Sequence, residues 1–465
     1  MNADNVASAT EVLPTPDYSE AAFDAGPHGP HQQPPSDGFF PTLWAGIVGA
    51  FKGLSKRTLN IFWLSLGVVL AVVGGCWQHL FKHAGVNDLP ILIAIVGVAI
   101  VIIGGIGLIG REGRSHDLVD FNSARAKSFV LDNAIILAML AFVVVLCVIK
   151  PNFMQVNVVA DILTQSSPKM FIALGVSFSL IIAGTDLSAG RQVAVSAVVV
   201  ASLIQKPDYA SKFWPGLGHW FILWPILIAI VACCVFGLFN GWLAAQFKMH
   251  PFIATLATAS IAYGGISWYF SKPPTNGQPL GELRPDFNAI GQTKLGADWA
   301  WISSLLGTNF RGINLLVAYA IVACVIIWFI LNKTTFGKNV YAVGGNPEAA
   351  RVSGVNSYWT IIFVFIIGSI MYALGGIMEA SRTGGATNNY GSGYELDAIA
   401  ACVVGGVSLM GGIGKVRGII IGVLTFQIIA YGLVFINANP YISLIIKGVI
   451  IAVAVALDLA KYNRR

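Results

Sequence analysis

The chain is poor in charged residues for its length. Lys, Arg, Asp and Glu make up 11% of its 465 residues, whereas a soluble globular domain carries about 25%. Apolar residues make up 56%, the mean hydropathy is +0.73, and apolar runs long enough to cross a bilayer recur along the sequence. The composition therefore predicts a polytopic membrane protein. We attribute the net charge of +6 to positive residues at the cytoplasmic face, not to nucleic-acid binding.

The motifs of several enzyme classes are also missing from the sequence. There is no G-x-x-x-x-G-K-[ST] loop for ATP and no H-E-x-x-H, and the seven histidines are scattered. The six cysteines all lie in apolar runs without a C-x-x-C pair, which is typical of core residues and not of disulfides or metal ligands. The sequence thus predicts a protein that is not an enzyme and that binds no metal or cofactor of its own.

Three regions differ in composition. Residues 1–38 are rich in Pro, Ala, Ser and Asp without periodicity, and we predict a disordered tail. Residues 39–125 begin with an amphipathic segment that suits the inner membrane surface, although it could equally be the frayed start of the next span. Two apolar runs follow in this region, at 61–81 and 89–110, and predict a transmembrane hairpin.

Residues 126–465 contain ten further apolar segments. They cover residues 131–149, 170–183, 190–204, 221–247, 251–270, 313–331, 358–378, 394–410, 416–436 and 441–459. The second, third and eighth are short or interrupted by glycine. Such segments are typical of helices that line a cavity in transporters, because broken backbone is tolerated only away from lipid.

The distribution of Lys and Arg predicts an orientation. If the chain starts in the cytoplasm and the spans alternate, the inner segments carry more Lys and Arg than the outer ones. The polar loop at 337–356 is then cytoplasmic, and the longest loop, 271–312, is outside. A weak G-x-x-L-x-x-G repeat at 184–190 and 406–412 suggests two related halves, or is chance in a glycine-rich chain.

The cytoplasmic loop carries the start and stop signals of a short helix. Asn346 is a favourable N-cap, because its side chain can accept a hydrogen bond from a free backbone N–H group. Pro347 follows at the first helical position, where its missing N–H is not needed. Gly354 can adopt the left-handed conformation that ends a helix. We predict a helix of about two turns, too short to be stable alone in water.

The surface of this predicted helix is small and partly charged. Glu348 lies near the positive end of the helix dipole and Arg351 near the negative end. Ala349 and Ala350 are small enough to let another protein approach closely. The helix signals alone favour a simpler interpretation, a capped linker.

A polar turn interrupts the apolar segments near residue 186. It runs from Gly184 through Asp186, and a carboxylate at membrane depth is by default a functional candidate. Asp186 or Ser188 could instead cap the helix that starts near Gly190. Arg191 could pair with Asp186 within the same turn, which would lower the cost of both charges. We favour a structural role for the turn.

Further polar groups surround the predicted outer loop at 381–393. Four charged residues flank it: Glu379, Arg382, Glu395 and Asp397. The loop adds amide and aromatic side chains such as Asn389 and Tyr390, which suit the hydroxyls and ring faces of a sugar. A hydrated loop that touches no sugar is the alternative, so no sugar-binding residue is assigned. Lys447, in the last span, could have a carboxylate partner that the sequence does not name.

Four stretches together resemble a known family. They are GGNPEAARVSGVN at 344–356, AGTDLSAGRQV at 183–193, and the segments 394–418 and 439–458. Taken in chain order, they resemble the permease subunits of bacterial ABC importers for simple sugars, and the galactose/methyl-galactoside permeases more closely than the ribose and xylose ones. The resemblance runs from about Lys127 to the C-terminus. Residues 1–125 depart from the family pattern.

The resemblance implies an architecture and a mechanism. It implies an all-α polytopic membrane protein with a ten-helix permease core, here carrying an N-terminal two-helix extension, in the bacterial inner membrane. It implies a homodimer that receives a monosaccharide from a periplasmic sugar-binding protein. A separate cytoplasmic ATPase would use ATP and Mg and act through the helix at 346–354.

The sequence argues against two other classes of function. An ion-coupled secondary transporter is the alternative, but it predicts several paired carboxylates at mid-membrane, and only Asp186 and Lys447 come close. A membrane-embedded enzyme lacks any catalytic constellation. Which sugar is carried stays open.

Overall fold

The computed structural model describes residues 134–296 and 310–462. The predictions for residues 1–125 lie outside these ranges. The regular secondary structure of these residues is helical, apart from one short antiparallel strand pair. The helices are α1 (Ala134–Ile149), α2 (Val156–Ile181), α3 (Ala189–Leu203), α4 (Leu223–Gln246), α5 (Pro251–Phe270), α6 (Pro285–Gln292), α7 (Leu315–Lys333), α8 (Thr335–Gly345), α9 (Pro347–Val352), α10 (Ser357–Thr383), α11 (Tyr394–Val404), α12 (Val416–Phe435) and α13 (Pro440–Tyr462).

Short elements connect some of these helices. A 3₁₀ turn, Pro151–Met154, lies between α1 and α2. Strand β1 (Lys294–Leu295) pairs antiparallel with β2 (Ile313–Asn314), which leads directly into α7.

Each of the ten predicted apolar segments overlaps a helix. Among the helices of residues 134–296 and 310–462, four, α4, α7, α10 and α12, are both long and apolar enough to cross a membrane by themselves. The second segment was predicted too short, because polar residues such as Asp161 and Lys169 hid the first half of α2, which spans 26 residues. The eighth was predicted too long, since α11 stops at Val404, before Gly406 adopts a φ of +83°.

Helix α10 packs against α2, α3 and α4, and glycines bring its backbone close to theirs. A Cβ atom at Gly237 of α4 would lie 2.7 Å from the carbonyl oxygen of Phe365, and one at Gly241 would lie 2.7 Å from the Cα of Ile362. Two glycines four residues apart occupy one helix face, so α4 lies directly on the backbone of α10. In a membrane, where burial of apolar surface gains little, such close van der Waals packing holds helices together.

Close packing of glycines also joins α11 to α12. Gly418 and Gly422 of α12 face Gly405 and Ala401 at the end of α11, and a Cβ atom at either α12 glycine would overlap a carbonyl oxygen of α11. Small residues at matching four-residue spacing on both helices permit this contact. The last turn of α11 is therefore fixed to the first turn of α12.

Helices α3 and α11, which correspond to the third and eighth apolar segments, are too short to cross the membrane. Helix α3 has 15 residues and α11 has 11, which at 1.5 Å per residue gives roughly 22 Å and 16 Å against an apolar thickness of about 30 Å. Their N-terminal ends meet, because a Cβ atom at Gly190 would overlap Gly391 and the carboxylate of Glu395. The third and eighth segments are thus half-helices whose first turns lie side by side inside the bundle.

Candidate functional site

Helix α9 carries the start and stop signals expected from the sequence. The Asn346 side chain accepts a hydrogen bond from Ala349 N at 3.0 Å, and Pro347 is the first helical residue. Glu348 and Arg351 form an ion pair of 2.9 Å along the helix. Gly354, with a φ of +83°, follows the helix end. These local interactions fix the shape of α9 before any partner arrives.

One predicted surface residue of α9 is not at the surface. Ala350 is only 5% exposed, because a helix of six residues turns one face toward its own chain and Ala350 lies on that face. Its carbonyl oxygen also accepts a hydrogen bond from Val355 N. Ala349 and Val352, the other two apolar residues that the sequence predicts at this surface, are exposed, Val352 to 86%. The apolar contact point that α9 offers is therefore Val352.

Helix α8 was missed by the sequence analysis, which treated residues 337–346 as loop. Thr334 caps it by accepting a hydrogen bond from Gly337 N at 3.1 Å. Apolar residues at Phe336, Val340 and Val343 repeat at helical spacing and turn toward the core. That periodicity was the signal available. Helix α8 matters because it leads straight into α9.

The C-terminal end of α8 contacts the core through backbone atoms. A Cβ atom at Gly344 would overlap the carbonyl oxygen of Ile181 at the end of α2. The same oxygen accepts a hydrogen bond from Gly412 N at 2.8 Å. The Tyr341 hydroxyl donates to the Gly414 carbonyl oxygen, also at 2.8 Å. We call Gly344, Ile181 and Gly412 the glycine junction; it connects α9 to α2 and to the turn between α11 and α12.

The junction also brings the two G-x-x-L-x-x-G turns together. Ala183, next to the first turn, has a φ of +59°, and Gly411 in the second has a φ of +84°. A Cβ atom at Gly411 would lie 2.9 Å from the Cβ of Ala183. The two motifs thus meet at the same end of the bundle, which distance along the chain could not indicate.

Asp186 lies in a buried network of neutral polar groups and is 1% exposed. Its Oδ1 accepts hydrogen bonds from Ser188 N at 2.9 Å and from Ser188 Oγ at 2.6 Å, and its Oδ2 accepts one from the Tyr372 hydroxyl at 3.1 Å. Gln192 Nε2 and Asn240 Nδ2 each donate to Ser188 Oγ at 2.9 Å. The network joins the turn before α3 to α4 and α10, in agreement with a structural role for the turn.

Of the expectations for this turn, capping holds for Asp186 and not for Ser188, and the pairing with Arg191 is wrong. Asp186 accepts a hydrogen bond from the backbone N–H of Ser188, the residue before α3. The Ser188 hydroxyl makes no cap hydrogen bond, because its oxygen already accepts from two side-chain amides. Arg191 does not pair with Asp186; its guanidinium carbon lies 4.4 Å from the ring centroid of Tyr263 on α5. The oxygens of Asp186 are already occupied by Ser188 and Tyr372, and Arg191 instead gains a cation–π contact.

Charged side chains surround the first turn of α11. Lys447 on α13 donates to Asp397 Oδ2 at 2.8 Å, which supplies the carboxylate partner that the sequence left unnamed. Lys169 on α2 lies 5.5 Å from the ring centroid of Tyr394. Glu379 and Arg382, one turn apart at the end of α10, form an ion pair of 2.7 Å. We call Lys169, Asp397 and Lys447 the charged cluster.

The sequence of this chain matches the model of a known family over most of the described residues. A family profile described as branched-chain amino acid transport system / permease component matches residues 158–455. The chain belongs to this family. It is a multi-pass permease of the bacterial inner membrane, and the matched residues include the whole path from α3 through α12.

Individual relatives within this permease family are similar over most of their own length. The galactose/methyl galactoside import permease protein MglC of Haemophilus influenzae is 43% identical over 345 residues, covering 73% of this chain and 98% of that protein. MglC of Escherichia coli K12 is 43% identical over 338 residues, covering 73% and 97%. The ribose import permease protein RbsC of Bacillus subtilis is 33% identical over 326 residues, covering 70% and 92%. No solved structure matches the chain significantly.

Proposed function

We propose that this permease is the membrane-spanning subunit of an ATP-driven importer for a galactose-type monosaccharide. A comparison of sequence identities supports the sugar. The relatives named for galactose/methyl galactoside import are 43% identical to the chain, whereas a ribose permease is 33% identical. The ion-driven alternative gains no support from these relatives, which are all named as import permeases.

The observation that carries the coupling mechanism is the shape of α9. It is a capped helix with a single prominent apolar side chain, Val352, and it is joined through α8 to the glycine junction. A partner that moved α9 would therefore also move the end of α2 and the turn before α12. We assign this partner as the separate ATPase subunit, which binds the ATP and Mg that this chain has no loop to hold.

The remaining assembly follows the same proposal. Ten apolar helical segments, two of them half-helices, form the core of each subunit. Two subunits form a homodimer around a central passage, and a periplasmic sugar-binding protein docks on the outer face. The half-helices α3 and α11 support a passage near mid-membrane, because interrupted helices in transporters lie where they line a cavity.

The coupling assignment can be tested at the exposed face of α9. Val352→Glu places a charge where an apolar anchor is expected, and a charge desolvated in an interface costs a few kcal/mol, or roughly a hundredfold in association. The readout is ATP hydrolysis stimulated by the sugar-loaded binding protein in proteoliposomes, together with co-purification of the ATPase. We expect both to fall strongly.

The matched control is Leu295→Glu, a change of the same kind at an exposed apolar residue far along the chain in β1. It should leave ATPase association near the wild-type level. If Val352→Glu inserts normally and keeps full stimulation and association, α9 is only a linker and the coupling assignment fails.

A further inference from the structure

The first turn of α11 lies at about half the depth of the membrane. The last turn of α11 is fixed to the first turn of α12 by the contact between Gly405 and Gly418. Since α12 spans 20 residues and α11 only 11, the start of α11 lies roughly 16 Å further in, near the middle of an apolar layer about 30 Å thick. Charged groups at this depth are costly and are by default functional candidates.

The charged cluster at this depth comes from three different helices. Lys169 belongs to α2, Asp397 to α11 and Lys447 to α13. The Glu379–Arg382 pair at the end of α10 lies within electrostatic range of Lys169. A single structural ion pair would need only Asp397 and Lys447, so the second lysine calls for a separate explanation.

A small cavity opens beside the cluster, between α2, α11 and α12. Its wall contains one ammonium group, one carboxylate and two aromatic rings, from Lys169, Asp397, Tyr394 and Phe426, and is otherwise apolar. Its volume is about 20 Å³, which is room for a water molecule but not for a hexose. In this conformation the cavity is closed.

The two charged groups on the cavity wall have hydrogen-bonding capacity to spare. Within residues 134–296 and 310–462, Lys169 Nζ donates no hydrogen bond, and its nearest aromatic contact is the Tyr394 ring at 5.5 Å. Asp397 gives Oδ2 to Lys447, and over the same ranges Oδ1 accepts no hydrogen bond. An ammonium group offers three donors and a carboxylate oxygen offers acceptor sites, so a donor and an acceptor remain for a ligand.

We propose that this cavity is a transient binding site for the passing monosaccharide. Asp397 accepts from sugar hydroxyls, Lys169 donates to them, and the rings of Tyr394 and Phe426 cover the apolar C–H face of the pyranose. The proposal rests on the proposed sugar-import function and names residues for it. Two charge-assisted contacts and a ring face give a weak site, as passage requires.

Opening the site requires movement at one end of α11 only. The inner end of α11 is held by backbone contacts between Ala401 and Gly422 and between Gly405 and Gly418. Its outer end is tied to α13 by the Asp397–Lys447 ion pair and rests on the first turn of α3 at Gly190. In the proposed opening, the first turn of α11, and with it Tyr394 and Asp397, tilts away from α2 about its contact with α3 while the last turn stays in place.

The first test is protection of a thiol placed in the cavity. Lys169→Cys is made in a chain whose six native cysteines are replaced by Ala, and is reconstituted with the ATPase and binding protein. During ATP-driven turnover, galactose should slow its reaction with a membrane-permeant maleimide at least threefold, while an equal concentration of mannitol should not. The control is Lys206→Cys, on the exposed surface, which should react equally under all conditions. If the thiol at position 169 is accessible and galactose leaves it unprotected, the proposal is overturned.

The second test measures sugar uptake per ATP hydrolysed in the same proteoliposomes. Lys169→Met and Asp397→Asn should each lower this ratio about tenfold, since each removes a hydrogen bond to a charged group. Lys206→Met, at an exposed residue that does not line the cavity, should leave it near the wild-type value. Inserted Lys169→Met and Asp397→Asn with the wild-type ratio would refute the site. If the wild-type chain imports no sugar, the proposed function itself fails, which is a different result.

Discussion

The glycine junction and the charged cluster hold helices together in opposite ways. At the junction, Gly344, Ile181 and Gly412 touch through backbone atoms, and no side chain intervenes. At the cluster, Lys447 reaches Asp397 across two helices and a cavity remains beside them. A backbone contact has no rotamer that can change, so a displacement on one side is passed to the other. An ion pair between long side chains can break and re-form while its helices separate.

This difference matches the positions of the two regions in the proposed cycle. The junction is one short helix away from α9, where the ATPase is proposed to act, and rigid transmission is needed there. The cluster is at the half-helix ends, where a passage must open and close. Allosteric transitions in packed proteins need an element with two arrangements, and the first turn of α11 is better suited to that role than the junction.

The largest effect is expected from a methyl group at the junction. Gly344→Ala would place a Cβ atom onto the Ile181 carbonyl oxygen, and because the obstacle is backbone, relief requires a helix shift. Such overpacking costs about 2–3 kcal/mol. Thermal unfolding of the purified subunit in mild detergent should show the loss, and sugar-stimulated ATP hydrolysis should fall with it.

The neighbouring glycine provides the control for this prediction. A Cβ atom at Gly345 would meet no atom within 4 Å, so Gly345→Ala should change stability by about 0.5 kcal/mol or less. Equal unfolding temperatures for the two variants would mean that the end of α8 does not rest on α2, and the contrast with the charged cluster would lose its basis.

A smaller loss of stability is expected when a tyrosine hydroxyl is removed, and it should depend on burial and on the hydrogen-bond acceptor. Tyr372→Phe removes a fully buried hydroxyl that donates to the Asp186 carboxyl group, and a bond of this kind is worth about 2 kcal/mol. Tyr341→Phe removes a half-buried hydroxyl that donates to a neutral carbonyl, worth about 1 kcal/mol. Both changes keep the ring. Unfolding of the two variants in parallel should place Tyr372→Phe lower, and the reverse order would show that the Asp186 network contributes little to holding α10.

Much of the fold could be predicted from the sequence, because the signals of membrane helices lie in short stretches of neighbouring residues. Helix α5 begins at Pro251 and ends at Phe270 as expected, and α9 has the cap, proline start and glycine stop read from residues 346–354. The short α3 and α11 were also anticipated. Each of these signals depends on neighbouring residues only.

What could not be predicted depends on contacts between distant residues. The pairing of Asp186 with Tyr372, and of Lys447 with Asp397, joins residues far apart in the chain, and a single sequence carries no pattern for either. The burial of Ala350 followed from which face of a six-residue helix turns inward, and a helix that short has no periodicity to reveal it. The first half of α2 could not be predicted, because its polar residues lower the local hydropathy although neighbouring helices cover them.

The smallest effect expected is the interaction energy between Lys447 and Asp397 in the charged cluster. The side chains of Lys447 and Asp397 are 21% and 16% exposed, against 72% and 74% for Arg351 and Glu348 on α9. Water screens the second pair far more, so we expect an interaction energy of about 0.3 kcal/mol there and about 1 kcal/mol between Lys447 and Asp397. Two double-mutant cycles, with Lys447→Met and Asp397→Asn in one and Arg351→Met and Glu348→Gln in the other, measure both energies from unfolding in detergent. An energy near 1 kcal/mol is well below the cost expected at Gly344, and it would let the first turn of α11 tilt within the free energy of one ATP-driven step. An energy of about 3 kcal/mol or more would make the cluster as firm as the junction, and the tilting of α11 on which the sugar site depends would have to be abandoned.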